Sequence, residues 1–135
     1  MVKISISQSC NILLIDEDQN HSDLVRFILS RQYNDSITIA SSRTGVETAQ
    51  KSSPDLIMLR LMLIGGVDGF ALCRQLKSQP HLQHVSVLLF GAKAQADVYA
   101  QAKLCGASGY LYQPFTPDQL CTARETLLAN KPYFP

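Results

Sequence analysis

Short apolar runs alternate along this chain with longer stretches that have helical spacing. Five such runs occupy residues 12–15, 37–40, 56–59, 85–90 and 110–112. Runs that are apolar at consecutive positions suit strands buried on both faces, and strands that alternate with helices favour a parallel sheet. The pattern therefore predicts a doubly wound α/β domain, in which five parallel strands are covered by five helices.

Helix starts are indicated most clearly at two threonines. Thr44 has Glu47 three residues later, and Thr116 is followed by Pro117 and Gln119. A hydroxyl residue with Glu or Gln three positions on has the spacing of a capping box, and proline is favoured at the first helical position. We therefore expect helices to begin directly after both threonines.

Amphipathic spacing predicts which helix faces are buried. In the first helix, the apolar face consists of Leu24, Val25, Ile28 and Leu29. In the last helix, we expect Asp118, Arg124 and Glu125 to lie away from the apolar side, which consists of Leu120, Ala123, Leu127 and Leu128.

The residues at the carboxyl ends of the predicted strands are the candidates for a functional site. In doubly wound sheets, ligands bind beyond this edge, near the switch in strand order. Here the five positions are Asp16, Glu17, Arg60, Gly91 and Gln113. We expect them to gather into one pocket.

Length and composition fit one domain. The chain has 135 residues, of which 46% are hydrophobic, and we predict an N-terminal extension (1–10), a domain (11–129) and a C-terminal tail or linker stub (130–135). Twelve basic and eleven acidic side chains argue against nucleic acid or an anionic membrane as a partner. The first ten residues lack the pattern of a secretion signal, so we expect a cytoplasmic location.

The four cysteines do not indicate a metal or redox site. They are scattered and form no C-x-x-C pair, which argues against structural zinc and against a catalytic dithiol. They are Cys10, Cys73, Cys105 and Cys121.

Four motifs together resemble the receiver domain of bacterial response regulators. They are IDED (15–18), PDLIMLRLML with DGF (54–70), FGAKA (90–94) and GASGYLYQPF (106–115), and the resemblance covers residues 11–129. It implies a CheY-like, flavodoxin-like fold with strand order 2-1-3-4-5. It also implies two-component signalling, in which a phosphoryl group passes from a kinase histidine or a small acyl phosphate to an aspartate beside Mg²⁺.

Position by position, the resemblance implies that the phosphorylation pocket is degenerate. The acidic pair that holds the metal is present as Asp16 and Glu17, but Arg60 replaces the acceptor aspartate, Gly91 the hydroxyl residue and Gln113 the lysine. A guanidinium stays protonated, cannot form an acyl phosphate and disfavours Mg²⁺ nearby. We therefore predict a non-enzymatic, unphosphorylated pseudo-receiver with weak or lost metal binding and no other cofactor. We expect Arg60 to form an ion pair with Asp16 or Glu17, and one possible geometry is a bidentate contact through two guanidinium nitrogens.

The resemblance also gives expectations for the surroundings of this pocket. Tyr110 matches the aromatic that moves inward on phosphate binding, for which Gly91 offers no hydroxyl. The peptide bond before Pro114 is expected to be cis. A Gly-Gly pair at 65–66 lengthens the loop before Asp68, and we expect this loop to differ from that of the family. Asp55, Asp68 and Lys93 receive plainer interpretations as a strand start, a helix cap and an exposed loop residue.

The expected partners are proteins. The resemblance implies that a sensor kinase, an output domain or another receiver binds the face around residues 94–129, where a homodimer could also form. The alternative is a conventional phosphorelay receiver that uses another acceptor residue. A flavin-binding protein is disfavoured because Asp16, Glu17 and Asp18 would repel a phosphate. A hydrolase is disfavoured because the predicted pocket has no nucleophilic side chain that lies beside a general base.

Overall fold

The structure, a computed structural model, describes residues 9–135. The strands are β1 (Asn11–Ile15), β2 (Ser36–Ala40), β3 (Leu56–Arg60), β4 (Ser86–Gly91) and β5 (Gly109–Tyr112). The helices are α1 (Gln19–Gln32), α2 (Gly45–Ser52), α3 (Gly69–Lys77), α4 (Gln95–Leu104) and α5 (Pro117–Leu128). Two short 3-10 turns occupy Ile64–Gly66 and Pro80–Leu82.

All five strands pair in parallel in the order β2-β1-β3-β4-β5, so the predicted fold class and strand order are confirmed. Successive strand residues point to opposite faces, and each face has its own core. Leu13, Ile57 and Leu89 belong to one cluster, whereas Leu14 and Met58 belong to the other. Burial on both faces explains the consecutive apolar residues in β1, β3 and β4. The edge strand β2 differs, because its residues Ser36 and Thr38 are exposed.

Helix capping confirms one predicted start in full and the other in part. Before α5, Thr116 accepts from the Gln119 backbone N–H and the Gln119 side chain accepts from the Thr116 N–H. Helix α2 does begin after Thr44, but the Thr44 side chain makes no capping bond there. Its hydroxyl contacts the Ser41 hydroxyl at 3.3 Å instead, so the expected capping box is absent.

Two predictions about helix faces are wrong. Leu24 of α1 is 48% exposed, although it was assigned to the buried face. Arg124 of α5, expected to face away from the core, is only 1% exposed. Its guanidinium donates to the Asp35 carboxylate at 2.6 and 2.7 Å and lies over the Tyr33 ring, so a buried charge is both paired and packed.

Residues 130–135, expected as a tail or linker stub, turn back onto the sheet. Helix α5 ends before Asn130, which adopts a left-handed φ of 62°, a conformation that asparagine tolerates better than most residues. Beyond it, Tyr133 pairs with Gly109 in a parallel bridge. This segment is therefore an ordered part of the fold.

Within residues 9–135, no helix is long and apolar enough to cross a membrane.

Candidate functional site

A cavity of about 440 Å³ lies at the carboxyl ends of the central strands. It is lined by Asp16, Glu17, Arg60 and the loop that follows β3, which contributes Met62, Leu63 and Ile64. Gly91 and Gln113 do not line it. The five predicted positions therefore share one end of the sheet, but only three of them face this cavity.

Arg60 lies over the carboxylate of Asp16. Its Nη1 atom is 3.4 Å from Oδ1 and 3.3 Å from Oδ2, and the Asp16 side chain is fully buried while that of Arg60 is 28% exposed. The expected bridge is thus present and selects Asp16, not Glu17. One guanidinium nitrogen serves both oxygens, so the contact is not a two-nitrogen fork.

Asp16 has two further partners on the protein. The Nδ1 atom of His21 lies 2.6 Å from Oδ2, and the backbone N–H of Asp18 donates to Oδ1 at 3.0 Å. Burial by itself would raise the pKa of Asp16, but the bonds from His21 and Asp18 and the charge of Arg60 outweigh it and lower this pKa. The carboxylate is therefore held in its charged form.

Glu17 fastens two loops to the edge of the sheet. Its Oε2 accepts from the backbone N–H and the hydroxyl of Ser42, both at 2.9 Å, and its Oε1 accepts from the Ile64 N–H at 3.1 Å. Burial raises the pKa of Glu17, but these hydrogen bonds prevail and lower it. Glu17 thus accepts backbone hydrogen bonds from the loop after β2 and from the loop after β3.

This donor set does not fit Mg²⁺. The ion requires oxygen ligands in near-octahedral arrangement, yet all four carboxylate oxygens of Asp16 and Glu17 already accept protein hydrogen bonds. Arg60 also faces this cavity, and its positive charge repels a metal ion. Within the described part of the chain, no group of three His, Cys, Asp or Glu side chains could hold a metal ion.

His21 belongs to this site, although the sequence interpretation missed it. Its ring stacks on Phe90 at 4.9 Å, and its Nε2 lies 2.8 Å from the Gln113 side-chain nitrogen. Because a carboxylate only accepts, the Asp16 contact places the ring proton on Nδ1 and leaves Nε2 to accept from the Gln113 amide. His21 therefore joins Gln113 to Asp16.

Tyr110 points inward and is 1% exposed. Its hydroxyl donates to the backbone carbonyl of Lys93 at 2.7 Å. A Cβ atom at Gly91 would lie 3.6 Å from that hydroxyl and 3.1 Å from the Cβ of Leu61. The ring therefore lies inward without a hydroxyl residue at 91, and a Cβ atom at this position would be tight against Leu61 but not against the Tyr110 hydroxyl.

Two glycines shape the loop after β3. Gly65 and Gly66 have φ values of 80° and 75°, which favour glycine, and Met62 pairs with Asp68 across the loop. Asp68 caps α3 through the Phe70 N–H, as predicted. The Gln113–Pro114 peptide bond is cis, which was also expected.

The remaining acidic candidate lies at the other end of the sheet. Asp55 precedes β3, and its carboxylate accepts from the Asn11 N–H at 2.8 Å. A larger cavity of about 640 Å³ is also found away from the predicted site, between the start of β4 and residues 130–134. Neither feature contributes to the pocket around Arg60.

A family model for the response regulator receiver domain matches residues 12–125. The chain is 34% identical over 124 residues to the DNA-binding dual master transcriptional regulator RpaA of Synechocystis, covering 92% of this chain and 51% of that protein. It is 32% identical over 106 residues to the response regulator PleD of Caulobacter vibrioides, covering 78% of this chain and 23% of that protein. The chain thus spans about half or less of the length of these curated relatives.

Solved structures share the fold. The receiver domain of NtrX from Brucella abortus superposes with a TM-score of 0.79 at 25% identity, covering 89% of this chain and 99% of that one. The chemotaxis response regulator CheY4 of Vibrio cholerae gives a TM-score of 0.80 at 20% identity, covering 87% and 98% of the two chains.

Proposed function

Because this chain belongs to the response regulator receiver domain family, we propose that it is a pseudo-receiver of two-component signalling. In this role it is not phosphorylated and does not act as an enzyme. It binds other proteins in one fixed conformation of its pocket, and this conformation does not depend on a kinase.

The observation that carries the proposal is the contact between Arg60 and Asp16. Receiver phosphorylation needs a carboxylate nucleophile and a divalent ion to neutralise the phosphoryl oxygens. At the nucleophile's position the chain has a guanidinium, whose Nη1 lies 3.3 Å from Asp16. This cation has no nucleophilic oxygen and neutralises the carboxylate that would bind the metal.

Two further contacts support a fixed pocket. Gln113 engages His21 where the family lysine would bind phosphate, and Glu17 is occupied by Ser42 and Ile64. Both groups are satisfied by the protein itself, so no phosphate or metal is needed to complete their hydrogen bonds. The arrangement supports a domain whose binding surface keeps one conformation.

The proposed partners are a sensor kinase, an output domain or another receiver, contacted through residues 94–129. Some relatives are longer regulators, and RpaA is named as DNA-binding. The charge balance of this chain still predicts that it does not itself bind nucleic acid. A cytoplasmic location likewise stays a prediction.

The test is intact mass after incubation with Mg²⁺ and a small acyl phosphate. A receiver with an intact acceptor aspartate serves as the positive control, and Arg31→Asp, at the far end of α1, shows whether an added surface carboxylate is itself modified. We expect no phosphate adduct on the unaltered chain. A single stoichiometric adduct would overturn the proposal and identify a phosphorelay receiver that uses another acceptor, which peptide mapping would locate.

A further inference from the structure

Two buried cysteines from different elements lie against each other. Cys73 belongs to α3, and Cys105 is the first residue after α4. The Cys73 sulfur lies 3.5 Å from the carbonyl oxygen of Cys105, and it also forms a hydrogen bond with the Cys105 sulfur. The two residues are 32 positions apart in sequence, so they form no C-x-x-C motif and only the fold brings them together.

The turn after α4 is shaped to lie against α3. Gly106 has a φ of 92°, and a Cβ atom there would lie 3.0 Å from the Cγ of Lys77, which is tighter than ordinary van der Waals contact. The Ala107 N–H donates to the Ala102 carbonyl at 2.9 Å, and the Cys105 thiol contacts the same carbonyl at 3.2 Å. Backbone geometry therefore fixes Cys105 beside α3.

The two thiols differ in how readily they lose a proton. The hydrogen bond from Cys73 lowers the pKa of Cys105, and this effect outweighs burial, which raises it. The same bond, together with burial, raises the pKa of Cys73, which is the donor. Cys105 is therefore the sulfur that carries a thiolate charge, while Cys73 keeps its proton and stays in contact with it.

A cavity reaches the turn that carries Cys105. The cavity of about 640 Å³ between the start of β4 and residues 130–134 has Lys77, Lys103 and Ala107 in its lining. Lys103 and Ala107 lie on either side of Cys105 in sequence, and Lys77 lies one helical turn after Cys73. A molecule as small as a hydroperoxide therefore meets the protein surface next to the residues that flank this pair.

We propose that Cys73 and Cys105 form a modification site, at which a hydroperoxide oxidises the pair to an intramolecular disulfide. The Cys105 thiolate attacks one peroxide oxygen and breaks the O–O bond, which releases water after proton uptake and leaves Cys105 as a sulfenic acid. The Cys73 sulfur then attacks the Cys105 sulfur, and the thiol proton leaves with the sulfenic hydroxyl as water. In total, two thiols and one hydrogen peroxide give one disulfide and two water molecules, and the peroxide takes up the two electrons.

The other two cysteines lack this arrangement. Cys10 and Cys121 are partly buried, and burial raises the pKa of each thiol. The hydrogen-bond partner of Cys121 is Tyr33, which cannot form a disulfide. Peroxide would convert either thiol to a sulfenic acid, which adds about 16 Da, whereas a disulfide removes about 2 Da. Mass therefore distinguishes the proposed site from ordinary thiol oxidation.

The bond would join α3 to the end of α4. A crosslink between positions this far apart restricts the unfolded chain, so we expect the thermal unfolding midpoint to rise by about 10 °C. Because α4 belongs to the face proposed for partners, oxidation would hold one end of that face against α3. This consequence rests on the proposed function, whereas the disulfide itself does not.

The experiment treats the full chain with hydrogen peroxide at neutral pH and measures intact mass, followed by peptide mapping without reductant. We expect a loss of about 2 Da that dithiothreitol reverses, and a peptide pair that joins Cys73 to Cys105. Cys10→Ala/Cys121→Ala should behave in the same way, whereas Cys105→Ala should lose no mass. The readout is thiol oxidation and not phosphate, so its failure would leave the proposed function untouched.

If Cys105→Ala does not fold, peptide mapping of the unaltered chain still carries the test. A native chain that keeps its thiols, or that is oxidised only at Cys10 and Cys121, overturns the site. A crosslink that forms only in urea also overturns it, because the pair would then need unfolding to react. A disulfide that lowers the unfolding midpoint overturns the inference that the fold accepts this bond without strain.

Discussion

Replacing Arg60 with methionine tests whether the guanidinium stabilises the pocket. At 3.3 Å from Asp16, a unit-charge pair at an effective dielectric of about 20 corresponds to about 5 kcal/mol before desolvation. Arg60 is 28% exposed and His21 still holds the carboxylate, so solvent screening reduces the net value. We expect Arg60→Met to lower the free energy of unfolding by about 1 to 3 kcal/mol.

The assay is urea unfolding at pH 7, followed by circular dichroism, with Arg31→Met as the matched control. Arg31 lies at the exposed end of α1 over the Phe27 ring, and we expect its loss to change the free energy of unfolding by less than about 0.5 kcal/mol. Equal stability of Arg60→Met and the unaltered chain would refute the argument, because a buried carboxylate that loses a real partner must destabilise the fold.

The same assay with Mg²⁺ tests the electrostatic half of the argument. In Arg60→Asp three carboxylates meet at one edge, and a metal at ten times its dissociation constant would raise the free energy of unfolding by about 1.4 kcal/mol. The unaltered chain should gain nothing beyond the effect of NaCl at the same ionic strength. A Mg²⁺-specific gain in the unaltered chain would contradict displacement of the metal by Arg60.

Three further outcomes are expected in unfolding experiments. Asp35→Ala should lower the free energy of unfolding by about 3 to 5 kcal/mol, because it leaves the buried Arg124 without its carboxylate. Thr116→Ala should lower it by about 1 kcal/mol through loss of the bond to the Gln119 N–H, and Thr116→Ser should restore it. Asp16→Asn should be less stable than the unaltered chain near neutral pH. Because folding lowers the pKa of Asp16, this gap should be present above the ordinary aspartate pKa of about 3.9 and should narrow as the pH falls through the folded value.

The predictable part of the fold came from features that are local in sequence. Consecutive apolar positions gave the strands, and the strand ends then placed Asp16 and Arg60 at one edge of the sheet. Once two opposite charges are known to share an edge of low exposure, their contact follows from electrostatics. The sequence did not predict that Arg60 pairs with Asp16 and not with Glu17. This outcome depends on the hydrogen bonds of Glu17 to Ser42 and Ile64, which form only in the folded structure.

His21 was missed because two of its partners, Phe90 and Gln113, are distant in sequence. Its contacts with Phe90 and Gln113 exist only after the sheet has formed. A usable signal was available, since Asp18 is a helix-capping residue type and His21 follows three positions later. That places His21 in the first turn of a helix that begins at the pocket.

The pairing of residues 132–135 with β5 was not predicted, because prolines flank a short apolar pair. Proline lacks the N–H that a sheet ladder uses, which favours irregular structure. At the sheet edge, however, only Tyr133 needs to contribute both an N–H and a carbonyl. The prolines then limit the pairing to one residue.

The replacements around the pocket are mutually consistent. A lysine at 113 would bring an ammonium group beside Nε2 of His21, whereas the Gln113 amide can donate to this nitrogen. The His21 ring contacts Asp16 through Nδ1, and Arg60 balances the charge of the Asp16 carboxylate. If Arg60 stands at the acceptor position, as we propose, replacing it with aspartate would supply a carboxylate but would leave Gln113, His21 and Glu17 in contacts that compete with phosphate and metal. Phosphorylation would require these contacts to be released together, so they support our proposal that the pocket is a stable alternative structure and not a receiver lacking one residue.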